Sequence, residues 1–190
     1  IRDAQESRGL GDVYKRQGED PYYGAKVAAA RVCGLQGDDL SADSTILACI
    51  KHFVGYGAVV AGKDYNSVDM SWGHFANFYM PPYKAGVEAG AATVMSAFND
   101  FENRPCTGNE DLLRGLLKEK WGFQGFVVSD WGSVGEMVNH RYAKDQKEAA
   151  NKAIMAGLDM EMVSECYAQN LADLVLSLIH ISEPTRLLSI

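Results

Sequence analysis

The sequence has no excess of positive charge, no long apolar run and no cysteine pairing pattern, and each absence closes off a class of function. Eighteen Lys and Arg stand against 25 Asp and Glu, leaving a net charge of −7. That field repels nucleic acid and anionic membrane surfaces rather than concentrating them. No apolar stretch approaches the roughly 18 residues that a membrane span needs. The N-terminus Ile1-Arg2-Asp3 carries no signal-peptide pattern. The four cysteines, Cys33, Cys49, Cys106 and Cys166, are scattered at unequal intervals, with neither a C-x-x-C pair nor a histidine at zinc-ligand spacing. They read as buried small hydrophobes rather than disulfide partners, and no metal or cofactor is expected. What is there, 47% hydrophobic and 23% charged residues in a chain of 190, suits one soluble globular domain.

The interior alternates apolar runs with amphipathic stretches. Residues 22–35 are spaced as a helix, with Pro21 in its first turn. The run 45–53 (TILACIKHF) reads as a buried strand whose end turns charged and aromatic. A glycine-rich loop over 55–69 leads to a helical stretch over 71–80, broken by Pro81-Pro82 before a second helical stretch over 83–90. Strand candidates follow at 91–98 (AATVMSAF), 125–130 (GFVVSD) and 158–162 (LDMEM). Between and after them, helices are expected from a cap at Asn109 to about 121, from a cap at Ser133 to about 140, from Ala143 to a stop at Gly157, and from a cap at Ser164 to about 176. Strands separated by helices imply parallel βαβ units, because antiparallel neighbours would be joined by short hairpins. Four such units predict an α/β fold, a partial TIM (β/α)8 barrel, since a closed barrel needs about 250 residues. A doubly wound open sheet is the alternative, but neither G-x-G-x-x-G nor a P-loop pattern follows any strand.

Residues 1–17 and 178–190 do not share this pattern and resemble translated sequencing-adapter sequence. They are read as non-native ends, leaving 18–177 as the domain.

In parallel barrels chemistry sits at the C-terminal ends of strands. The polar residues there are Lys51-His52, Asn99-Asp100, Ser129-Asp130 and the pair Asp159 and Glu161. An isolated Asp after a strand is more often a turn or helix cap. Asp130 differs because Trp131 follows it and Gly132 clears space, which places a carboxylate beside an aromatic surface suited to a sugar ring. Lys51-His52 is comparable, a cation and an imidazole side by side where a buried Lys without a role would be costly.

The segments GEDPYYG, GLQGDDLS, KHFVGYG with GKDYNSVDMS, VMSAFN and WGFQGFVVSDWGSV occur in this order over residues 18–176. Together they resemble the catalytic barrel of family 3 glycoside hydrolases, in the β-glucosidase and β-xylosidase branch of Bacteroides-like bacteria. The resemblance implies a retaining mechanism on a β-linked glucoside or xyloside oligosaccharide, through a covalent glycosyl-enzyme. It implies Asp130 as nucleophile, Trp131 beside the sugar, Lys51 and His52 on its hydroxyls, and Met95 and Phe98 walling the same subsite. Phe98 stands where many relatives place a Tyr able to touch the nucleophile. Asp64 matches an acidic residue with a loop-supporting role, and Arg141 follows His140 where relatives commonly show Gly.

The resemblance also implies groups outside this chain. The family's sugar-binding Asp and an Arg precede the GEDP segment, and its acid/base Glu lies in a following α/β domain. The chain alone is therefore expected to be inactive, and its parent to be periplasmic or secreted. A branch acting on N-acetylglucosamine uses KHFPGHG, but here Val54 and Tyr56 replace the Pro and second His. The other readings are a non-catalytic sugar-binding barrel remnant and a Schiff-base aldolase. The intact Asp130, Trp131, Lys51 and His52 oppose the first, and the missing phosphate loop opposes the second.

Overall fold

Residues 20–63 and 65–186 are described by the structure, a computed structural model, with side chains up to Ser177. The reading of 1–17 and 178–190 as foreign falls outside those side chains, although the backbone of the last helix runs on to Arg186. Asp64 also lies outside the described residues.

Helix α1 (Pro21–Gln36) begins where the Asp20 carboxylate accepts from the amides of Tyr22, at 2.8 Å, and Tyr23, at 3.4 Å. Pro21 in the first turn gives up no bond there, because first-turn amides have no helical partner. The last residue of α1, Gln36, is buried and works as a clamp. Its Oε1 accepts from Ala48 N at 3.0 Å and Ala92 N at 2.9 Å, and its Nε2 donates to Gly90 O at 2.9 Å. One amide thus satisfies two backbone donors and a carbonyl where the chain enters two strands.

Seven strands are described: β1 (Cys49–Phe53), β2 (Ser67–Val68), β3 (Thr93–Ser96), β4 (Asp100–Phe101), β5 (Arg104–Pro105), β6 (Phe126–Trp131) and β7 (Met160–Met162). The main sheet has the order β1-β3-β6-β7, with every pairing parallel. Its members are the four runs expected from the sequence, each starting later, with β3 also ending at Ser96 and β6 running on to Trp131. The run at 45–53 loses its front half because Ile46 N bonds to Leu35 O at 3.0 Å, so the chain there is tied to the end of α1 and not to a strand. The short strands β2, β4 and β5 form a second sheet from the loops that follow β1 and β3.

The crossovers are helical, as parallel neighbours require. Between β1 and β3 run a turn at Trp72–His74, a wide π-type turn at Phe75–Tyr79 and α2 (Pro81–Glu88), so the Pro81 break falls where expected. Helix α3 (Asp111–Lys120), also of π type, links β5 to β6. Helices α4 (Ser133–Asn139) and α5 (Gln146–Ala156) link β6 to β7, and α6 (Cys166–Arg186) follows β7. Val94 and Val127 from the sheet share one core with Leu113, Leu117, Val134, Ala149 and Ala153 from the helices. Full burial of a Leu or Val side chain is worth about 1.5–3 kcal/mol, so this contact holds the layers together.

Four local expectations need correction. Ser133 does not cap α4; the cap position is Gly132, and the Ser133 hydroxyl faces Thr107 Oγ1 at 2.9 Å. Ser164 does not cap α6; the Glu161 carboxylate accepts from Cys166 N at 3.0 Å and Tyr167 N at 2.6 Å, and a carboxylate answers the positive end of a helix better than a hydroxyl. All four cysteines are free, but only Cys106 and Cys166 are buried. Cys33 and Cys49 are exposed, on the outer helix α1 and at the start of the edge strand β1. The helix expected near Ala143 begins later, with Asp145 as its cap, accepting from Glu148 N at 2.8 Å.

Helix α4 ends with Arg141 N bonded to Val138 O and Tyr142 N bonded to Met137 O, each at 3.0 Å. This is a Schellman closure, whose pivot residue must adopt the left-handed conformation. Arg141 does so at φ 57, where a side chain costs about 1–2 kcal/mol that glycine avoids. Arg141→Gly is therefore expected to stabilise the protein bearing this domain by about 1 kcal/mol. Equilibrium unfolding in urea measures it, and a lowered midpoint would contradict the strain reading.

Candidate active site

Parallel strands bring their C-terminal ends to one rim, and the polar ends of β1 and β6 meet there. His52 Nε2 lies 3.5 Å from Asp130 Oδ2, with both side chains largely buried. That distance is electrostatic contact, slightly long for a hydrogen bond. The other carboxylate oxygen, Asp130 Oδ1, accepts from Trp131 N at 2.7 Å, which fixes the plane of the carboxylate. Beyond it the Trp131 side chain stands in the open, 65% exposed.

His52 is itself held. Tyr83 Oη donates to its backbone carbonyl at 2.6 Å, and the Tyr56 ring packs at 5.2 Å from the imidazole. The aromatic series continues from Tyr56 to Phe98 at 6.2 Å, and from Phe98 to Tyr65 at 4.6 Å. Of the residues singled out in the sequence, His52, Asp130 and Trp131 are brought together directly, and Phe98 joins through Tyr56. Lys51 is exposed beside His52, so the cost of a buried Lys does not arise there, and Met95 lies half-buried on β3, the strand between β1 and β6. The peptide bonds Lys51–His52 and Phe53–Val54 are cis.

Other polar strand ends are engaged in structure. Asp159 accepts from Lys118 Nζ at 2.7 Å and from Val127 N at 2.8 Å, pinning β6 to α3. Glu161 caps α6, as described above. Asn99 Nδ2 donates to Val54 O at 3.3 Å, and Asp100 Oδ2 accepts from Ser67 Oγ at 3.0 Å. Under the rim a buried hydroxyl chain runs from Ser96 to Thr107 to Ser133, with 2.9 Å at each step. The Cys106 thiol is pushed up to about 12 by burial. It stays protonated and is no nucleophile. Among the described residues no group of three or more His, Cys, Asp or Glu could hold a metal ion, and no helix is long and apolar enough to cross a membrane.

Tyr83 and Tyr56 were not picked out as supports by the sequence reading. Tyr56 carried a signal, four residues after His52 in KHFVGYG, but its spacing served only to set aside one branch. Tyr83 carried none, because its contact with His52 spans 31 residues.

Residues 5–185 match the Glycosyl hydrolase family 3 N terminal domain. The chain is 41% identical over 160 residues to the periplasmic beta-glucosidase of Salmonella typhimurium, covering 84% of this chain and 21% of that protein. It is 38% identical over 157 residues to a beta-xylosidase of Formosa agariphila, covering 80% of this chain and 22% of that protein. The crystal structure of a beta-glucosidase from Listeria innocua in complex with glucose superposes with a TM-score of 0.86 at 40% identity. That superposition covers 90% of this chain and 24% of the other, and a mutant of the same enzyme has been solved with laminaribiose. The chain thus spans about a fifth to a quarter of the length of these relatives. Its parallel sheet is part of a (β/α)8 barrel, and the chain belongs to glycosyl hydrolase family 3, within the N-terminal domain of that family.

Proposed function

We propose that this chain is part of a retaining glycosidase that removes terminal β-D-glucosyl or β-D-xylosyl residues from oligosaccharides, with Asp130 as nucleophile. The observation that carries the reading is the Asp130 carboxylate at the strand-end rim, 3.5 Å from the His52 imidazole and beside the exposed Trp131. A carboxylate so placed can attack an anomeric carbon while the indole offers its face to the sugar ring. Lys51 and His52 then serve the sugar hydroxyls, and Met95 and Phe98 wall the subsite. Retention needs a second carboxyl about 5–5.5 Å from the nucleophile to act as acid and base. Asp159 and Glu161, the nearest candidates in the sequence, are both engaged in structure. This supports an acid/base Glu from outside this chain, in a following α/β domain, and an isolated chain without activity. The periplasmic relative in Salmonella typhimurium supports a parent protein that is periplasmic or secreted.

The test closest to the geometry is His52→Ala in the full-length enzyme. Hydroxyl contacts that strengthen toward an oxocarbenium-like transition state contribute several kcal/mol, so losing one is expected to lower kcat/KM by about 10- to 100-fold. An unchanged kcat/KM on an aryl β-glucoside removes His52 from the site.

A further inference from the structure

We propose that Ser129 is a positioning residue for the nucleophile, acting through a bulge in β6; the inference rests on the reading of Asp130 given above. Two pairings in the main sheet are irregular, and they flank the rim on both sides. Along β1 and β3, Ile50 pairs with Val94 and Phe53 with Ser96, so Lys51 and His52 together face Met95 alone. Along β6 and β7, Val128 pairs with Met160 and Trp131 with Met162, so Ser129 and Asp130 together face Glu161 alone. The pairing between β3 and β6 is regular over Thr93 to Met95. Each of the two residue pairs that chemistry singles out is therefore the extra length of a bulged strand. A bulge breaks the alternation of side chains across a sheet and re-aims one of them. Here the two re-aimed side chains are His52 and Asp130, which meet.

A bulge also disturbs the ladder bonds beside it, and on β7 the residue that re-enters the pairing is Met162. The Ser129 hydroxyl bridges the two strands there, accepting from Met162 N at 2.8 Å and donating to Asp130 O at 2.9 Å. Gly132 N then donates to Met162 O at 2.8 Å and closes the bulge on its far side. Ser129 is fully buried, so water cannot substitute for its hydroxyl. Its two bonds bracket the backbone of Asp130 and set the direction in which the carboxylate leaves the strand. A hydroxyl that both accepts and donates is required; an apolar residue of the same size gives up both bonds at once.

The test uses the full-length enzyme with Ser129→Ala, Ser129→Thr and Ser129→Val, active sites being counted with a 2-fluoro glycosyl reagent and the labelled residue located by peptide mass spectrometry. Misplacement of a reacting group by a fraction of an ångström to an ångström is expected to lower kcat per titrated site by about 10- to 100-fold in Ser129→Ala and Ser129→Val. KM is expected to stay within about threefold, and Ser129→Thr to return kcat to within about fivefold of the native enzyme. Thr and Val have one shape, so their difference reports the hydroxyl and not the volume. Native kcat in Ser129→Ala or Ser129→Val, or an equal loss in Ser129→Thr, overturns the proposal. Should Ala and Val fail to fold, Ser129→Cys decides, since a thiol fills the place with weaker bonds: a drop of about fivefold or more supports the role and native kcat ends it. Label on Asp130 with unaffected Ser129 variants defeats this inference alone, whereas label on another carboxylate defeats the reading of Asp130 and this inference with it.

Discussion

Asp130→Asn in the full-length enzyme is expected to lower turnover of an aryl β-glucoside by about 10⁴-fold or more, equivalent to about 5.5 kcal/mol of transition-state stabilisation. The carboxamide has nearly the shape of the carboxylate and keeps an oxygen for Trp131 N, the bond that now measures 2.7 Å. The fold and the sugar contacts should therefore survive. What is lost is the attacking charge, because a neutral amide oxygen does not form the glycosyl ester on which retention depends. The expected signature is a collapse of kcat with sugar binding still measurable by calorimetry. A 2-fluoro glycosyl reagent should label the peptide containing Asp130 in the native enzyme and leave it unlabelled in the variant. Near-native turnover in the variant, or label on a different carboxylate, would remove Asp130 from the role. On the same proposal, in which the acid/base Glu comes from outside this chain, the isolated chain is expected to show no hydrolysis of the glucoside in the same assay.

The rim was legible in the sequence because composition and order both change there. Apolar runs stop at Lys51-His52 and at Ser129-Asp130, and a run bounded by polar residues is a local signal that survives without tertiary knowledge. Local signals failed where the partner is distant. Ser164 looks like a cap by residue type, yet Glu161, placed by β7 before the helix begins, reaches the amides of Cys166 and Tyr167 first. Gln36 reads as a polar residue at the end of a helix, and only the pairing of strands far along the chain makes it a buried clamp on Ala48 and Ala92. The bulges were the deepest omission. A strand with one extra residue has the same composition as a regular one, and its irregularity exists only relative to its neighbour. The placing of Lys51-His52 and Ser129-Asp130 at strand ends was therefore readable, while the irregular register at those ends was not.

Gly125→Ala is expected to destabilise the protein by more than about 3 kcal/mol, a large part of the 5–15 kcal/mol that holds a typical domain. Gly125 stands immediately before β6, where a β-carbon would fall 2.0 Å from Ala92 O and 2.7 Å from both Ala92 C and Phe123 Cζ. Two of those three atoms are backbone, in the residue just before β3, so no rotamer change relieves the clash. Ala92 O also accepts from Phe126 N at 3.3 Å, the bond that begins the parallel pairing of β3 with β6. Moving Ala92 away to admit a methyl group breaks that bond and lets β6 slide or splay. The cost does not stay at the start of the strand. Asp130 is five residues further along β6, and its approach to His52 depends on β6 keeping register with β3, which also carries β1 on its other side. A urea unfolding series on the full-length enzyme measures the stability, and kcat per titrated site measures the register. Both are expected to fall in Gly125→Ala, whereas Gly122→Ala, where a β-carbon meets nothing within 4 Å, should lose only the smaller cost of its left-handed φ of 70. An unfolding midpoint for Gly125→Ala equal to that of Gly122→Ala would show that Ala92 and Gly125 are not in contact, and with that the register argument for Asp130 would fail.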